Sequence, residues 1–101
     1  MIIRIVRMTF REDAIDDFLT IFNDSKLQIR SFPGCRHLEL HRDADDPRIF
    51  CTYSHWESQE DLDTYRNSSL FGEVWPATKR LFDDSPIAFS NTMEQVVESR
   101  Q

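Results

Sequence analysis

Residues 1–10, MIIRIVRMTF, offer no polar side to water. In an extended chain Ile3 and Ile5 face one way, and Ile2, Val6, Met8 and Phe10 the other. A strand apolar on both sides needs two covers. Helices of the same chain supply one. The other cover calls for a second sheet, and a twofold copy of the same chain is the simplest source. A homodimer is therefore expected. The same run is broken by Arg4 and Arg7, so it lacks the uninterrupted apolar core of a signal peptide.

The rest of the chain alternates between the two periodicities. A helix is expected from Glu12 to about Ser31, with the stripe Ile15, Phe18, Leu19, Phe22, Ser25 and Ile29. Glu12, Asp13, Asp16 and Asp17 stand where the helix dipole favours negative charge, and Arg30 where it favours positive. Phe32-Pro33-Gly34 ends it. Cys35–Arg42 reads as a second strand, Asp43–Pro47 as a turn and Arg48–Trp56 as a third strand. Ser58 is placed to cap a helix, with Asp61 three residues on. Asn67-Ser68-Ser69 reads as a break and a fresh cap before the stripe Leu70, Phe71, Val74, Trp75, Thr78, Leu81 and Phe82. Pro76 interrupts that stripe, so a kink or restart is expected there. Ile87–Val97 reads as a fourth strand, with residues 98–101 frayed. One α+β domain over 1–101 follows: a ferredoxin-like β-α-β-β-α-β protomer with a four-stranded antiparallel sheet.

Composition removes whole classes of function. The chain has 18 acidic and 12 basic residues, a net charge of −6, which suits neither nucleic acid nor an anionic membrane surface. No apolar run approaches the ~20 residues of a membrane helix. A cytoplasmic location is expected. The two glycines, Gly34 and Gly72, leave no phosphate-cradling loop and no dinucleotide fingerprint. Cys35 and Cys51 fall several residues out of register in the hairpin, Cys35 opposite about residue 55 and Cys51 opposite about residue 39, so they are expected as free thiols.

Three constellations remain. His37, Glu39 and His41 share one strand face, and His55 with Tyr53 extends it. Residues two apart on a strand are ~6–7 Å apart. Neighbouring imidazoles at that spacing reach a common metal, but residues four apart do so only with difficulty. The strip reads as polar surface or as interface hydrogen bonds, and no metal is expected. His55 or His37 is a candidate general base, depending on which sheet face meets the helices. Trp56, Tyr65, Phe71, Trp75 and Phe22 either fill the space between sheet and helices or wall a pocket for a flat apolar ligand, with Arg66 and His55 at its mouth.

Phe32-Pro33-Gly34-Cys35, Asp45 to Phe50, Trp56 to Leu62, Tyr65, Ser68 and Leu70-Phe71 together resemble the antibiotic biosynthesis monooxygenase (ABM) domain. The resemblance spans nearly the whole chain. It implies a dimeric α+β barrel with a pocket between each sheet and its own helices. It also implies a cofactor-independent monooxygenase that oxidises a quinol or polycyclic phenol with dioxygen, the substrate supplying the electrons. In that scheme the catalytic candidates are His55, His37 and Tyr65. The substrate-binding candidates are Trp56, Arg66, Phe71, Trp75 and Phe22, and the ligand is a small hydrophobic or aromatic molecule. The alternative is a non-enzymatic dimer that binds a small hydrophobic metabolite. A haem-binding or haem-degrading protein ranks below both. Relatives that degrade haem ligate iron through a histidine where this chain has Trp75, and no histidine follows His55.

Overall fold

The computed structural model describes residues 1–100. Strand β1 (Ile2–Thr9) leads through a short 3-10 turn (Glu12–Ala14) into helix α1 (Ile15–Arg30). Strands β2 (Cys35–Arg42) and β3 (Ile49–Trp56) form the central hairpin. Helices α2 (Gln59–Arg66) and α3 (Ser69–Lys79) then return the chain to strand β4 (Ile87–Thr92). The sheet is antiparallel in the order β2-β3-β1-β4. This is the ferredoxin-like arrangement, with α1 and the α2–α3 pair on one face.

Phe10 decides which face the helices take. It follows directly on β1, continues that strand's even-numbered row and is fully buried. Its ring stacks on Phe18 of α1 at 4.2 Å and meets Phe50 of β3 edge-on at 5.9 Å. Val6 and Met8 follow it into the same cluster. Because side chains alternate along a strand, the odd-numbered residues of β1 and β3 must face the other way. A second cluster, Cys35, Trp56 and Leu62 with Ile2, Phe32 and Tyr65, forms at the far end of the same face.

Two serines shape the helical return. Ser58 accepts a hydrogen bond from the Asp61 backbone N–H at 3.1 Å, and Ser68 one from Phe71 at 3.2 Å. The Ser68 hydroxyl also donates to the Tyr65 carbonyl at 2.6 Å, which joins the end of α2 to the start of α3. Gly34 supplies the turn from α1 into β2. It has φ +89, and its carbonyl accepts from the Glu57 N–H at 2.8 Å. A Cβ there would lie 2.5 Å from the Asp61 side chain, so the position requires glycine twice over.

Several expectations need correction. The helix before β2 begins as a 3-10 turn and becomes α-helical only at Ile15. Of the kink or restart expected at Pro76, the restart does not occur: helix α3 runs through it. Strand β4 ends at Thr92, not Val97, where it pairs with Ile2, the first residue of β1. The expected fraying of 98–101 includes Gln101, which lies outside the described residues. The thiols are free, as expected, but the register differs slightly. Cys51 opposes His41 in the regular ladder, and Cys35 opposes Trp56 across a shift between Cys35 and His37.

Gly34→Ala is expected to destabilise the chain by about 1–3 kcal/mol, from the positive φ together with the clash at Asp61. Gly72→Ala, which meets nothing within 4 Å in helix α3, is expected to be neutral or stabilising by up to ~1 kcal/mol. Urea denaturation of the two variants measures both.

Candidate functional site

Between the two core clusters lies a cavity of about 240 Å³. The even face of the sheet forms its floor through Arg4, Val6, Met8, Leu38, Thr52, Ser54, Trp56 and Ala88. Helix α1 contributes Phe18, Phe22 and Ile29, and the α2–α3 pair contributes Leu62, Tyr65, Arg66, Phe71, Val74, Trp75 and Thr78. The strand-to-helix junction at Trp56 sets this geometry. It turns the chain just after the sheet's end, and the two serine caps then aim Tyr65 and Phe71 back over the floor.

Trp56 is 1% exposed, so it belongs to the core and the cavity wall at once. Its indole Nε1 donates to the Ser54 hydroxyl at 3.0 Å, and that hydroxyl donates to the Arg4 carbonyl at 3.5 Å. The ring is thereby held without an unpaired polar atom. Tyr65 stacks on it at 4.8 Å, and Phe32 meets both rings edge-on. Phe71 packs edge-on against Tyr65 at 5.3 Å and stacks near Trp75 at 5.8 Å. A ligand thus meets a continuous aromatic wall whose rings already brace one another.

Tyr65 is the one acidic proton in the lining that is strongly perturbed. Burial, with a smaller contribution from the nearby Cys35, pushes its phenol from the usual value near 10.0 up to about 12. No group among the described residues hydrogen-bonds its hydroxyl. At neutral pH it is a neutral donor, not a base. Two cations share the cavity with it. Arg4 is half-buried on the floor, and its guanidinium donates to the Ser90 hydroxyl at 3.2 Å. Arg66 is exposed at the mouth. Burial, and then repulsion from Arg66, lower the Arg4 pKa. Among the described residues no carboxylate and no imidazole line the cavity.

Of the residues singled out by sequence, the fold brings together Phe22, Trp56, Tyr65, Arg66, Phe71 and Trp75. It does not bring His37 or His55 to them. Both histidines are odd-numbered residues on strands whose even-numbered neighbours face the helices, so they stand on the open face. There His37 lies opposite His55 with ring centroids 5.1 Å apart, and His55 shares a hydrogen bond with the Tyr53 hydroxyl at 3.0 Å. Glu39 pairs with His37 and, at 2.6 Å, with His41; these hydrogen bonds hold its carboxyl below the usual range. Among the described residues no group of side chains is arranged to hold a metal ion.

Arg4 and Ser54 were missed. Arg4 carried a readable signal: it is the one charged residue on the even, otherwise apolar row of β1. Ser54 became visible only through its bond to Trp56.

The family model described as antibiotic biosynthesis monooxygenase matches residues 1–75. The chain belongs to that family. The matched region runs from β1 to Trp75 and so contains nearly all of the cavity wall. No curated protein sequence matches the chain. Among solved structures it is similar to one named as an antibiotic biosynthesis monooxygenase, with 22% identity and a TM-score of 0.86 over 96% of this chain and 100% of the other. A structure from Deinococcus radiodurans that carries the same family name covers 100% of both chains at 14% identity, with a TM-score of 0.88. A conserved protein from Methanosarcina mazei gives 17% identity and a TM-score of 0.85 over 90% of this chain and 91% of its own. At such identities these neighbours share the ABM fold and say nothing of the substrate. No helix among the described residues is long and apolar enough to cross a membrane.

The phenol of Tyr65 makes stability depend on pH in a definite direction. Between about pH 10 and the folded value near 12 the unfolded chain loses this proton while the folded chain keeps it. Stability is therefore expected to fall with rising pH across that window, by up to about 1.4 kcal/mol per unit from this residue. Tyr65→Phe is expected to remove that part of the slope, as read by urea denaturation at stepped alkaline pH.

Proposed function

We propose that this ABM-family protein is a monooxygenase that oxidises an aromatic quinol or phenol with dioxygen and uses no bound cofactor. The observation that carries the reading is the aromatic-walled cavity beside Trp56, with a protonated phenol and two guanidinium groups turned to one ligand volume. The reaction balances without an external reductant. One ring carbon exchanges its hydrogen for oxygen and the phenol becomes a quinone. The second oxygen leaves as water with that hydrogen and the phenolic proton. All four electrons come from the substrate.

Each side chain then has a definite task. Trp56, Phe71, Trp75 and Phe22 hold the ring and keep water away from it. Tyr65 donates a hydrogen bond to a substrate oxygen. Arg66 favours the ionised form of the substrate, which is the form that gives up electrons readily. The cavity holds no carboxylate or imidazole to accept the proton, so the cations lower the substrate's own pKa and the proton passes to water at the mouth.

That same missing base favours one other reading, a module that binds an aromatic metabolite without turning it over. Oxygen uptake over a panel of naphthols and naphthoquinols separates the two. The oxygenase reading expects uptake matched one to one by quinone formation, a loss of about 10²-fold or more in Trp56→Ala, and a smaller loss in Tyr65→Phe. Binding without uptake across the panel would leave the module.

We further propose that the open sheet face pairs with a second copy of the chain. On that face Phe89 is 43% and Ile87 57% exposed, and Phe89 lies opposite Ile5 on the neighbouring strand. Such an apolar sheet face is uncommon on a monomer. Light scattering is expected to give twice the chain mass, and Phe89→Asp to give the single chain with its circular dichroism retained. A wild-type monomer at micromolar concentration would end this proposal.

A further inference from the structure

The two arginines of the cavity carry the substrate class further than aromaticity does. The chain has 18 acidic residues, yet none of them lines the cavity. Four arginines find acids, Arg48 with Asp46 and Asp83, Arg7 with Asp43, Arg11 with Asp13 and Arg36 with Glu57, and Arg30 and Arg42 donate to backbone carbonyls; of the described arginines only Arg4 and Arg66 share a cavity. Among the described residues Arg4 has only a neutral partner, the Ser90 hydroxyl. It also faces a like charge in Arg66, whose guanidinium has no hydrogen-bond or ion-pair partner among the described residues.

Such an arrangement is costly for the empty protein. A half-buried cation loses hydration, and a second cation beside it adds repulsion. An anion between them removes both penalties. Guanidinium groups take carboxylates through parallel N–H donors, a match no hydroxyl gives. A carboxylate carries the same single charge as a phenolate but offers two oxygens, one for each guanidinium, and leaves one positive charge to favour the ionised phenol. The geometry points to an aromatic acid as ligand, its carboxylate seated between Arg4 and Arg66 and its ring against the aromatic wall beneath Tyr65 and Trp56. This deepens the proposed function and rests on its placing of the substrate in the same cavity. Arg4 is then a binding residue for the ligand's acid group, and Ser90 on β4 holds its side chain in place.

The probes are 1-hydroxy-2-naphthoate and its neutral counterpart 1-hydroxy-2-naphthamide, titrated calorimetrically into the full chain at neutral pH. Binding of the naphthoate about tenfold or more tighter than the amide is expected. Arg4→Met, with its circular dichroism retained, is expected to bring the acid-to-amide affinity ratio close to one. Raising ionic strength to about 1 M is expected to weaken the naphthoate alone, a test that needs no variant. Equal affinity for acid and amide in the wild-type chain would overturn the acid seat and leave the aromatic cavity standing. So would a preference that survives in a folded Arg4→Met. Binding of neither probe would overturn both readings together.

Discussion

The structure hangs on one hydrogen bond that is almost invisible from outside. The Trp56 indole donates to Ser54, whose hydroxyl leans on the Arg4 carbonyl. A fully buried tryptophan with an unpaired N–H would be costly, of the order of 1–3 kcal/mol. With its partner in place Trp56 can be wall and core together. Tyr65 stacks on it, Phe71 leans on Tyr65, and Trp75 extends the row towards the Phe10 cluster. The two core clusters therefore touch through aromatic edges and leave space between them instead of merging.

How much of this was legible depended on periodicity. The even row of β1, the Ser58 and Ser68 caps and the Gly34 stop are local signals, and each produced the element expected of it. The aromatic set from Phe22 to Trp75 was also readable, because strand-to-helix order alone puts those residues over one sheet face. The choice of face was not. Both rows of β1 are apolar, and only the contact of Phe10 with Phe18 and Phe50 breaks the tie. That tie-break removes His37 and His55 from the cavity and admits Arg4. A one-residue change of parity exchanges a histidine site for an arginine site. The length of β4 was unreadable for another reason: the apolar residues Met93, Val96 and Val97 suggest a strand, but strand length is set by the partner, and the ladder with β1 ends at Ile2 and Thr92.

The open face holds the histidines in a network of their own. Glu39 bridges His37 and His41 while His55 turns to Tyr53. Beside them on β1 and β4 lie Ile5, Ile87 and Phe89. A face that is apolar at one edge and rich in paired polar groups at the other resembles the core and rim of an interface. On the proposed pairing the histidine strip sets register and geometry, and the chemistry stays on the far side of the sheet.

What then distinguishes this cavity is the sign of its charge. A protein with a net charge of −6 places none of its acidic side chains in the wall of this cavity and leaves two guanidinium groups there. A site built this way cannot take protons from a substrate, because its only weak acid, Tyr65, is held in the neutral form. It can make the substrate's anion the favoured form. On the proposed reading that suffices: an electron-rich anion reacts with dioxygen by its own reduction potential. The protein's contribution is to bind that anion in a dry aromatic slot and to hydrogen-bond the oxygen on which charge remains. Selectivity in such a site comes from the ligand's ionisation and shape, so Arg4, on the sheet floor, bears on it as strongly as any ring of the wall.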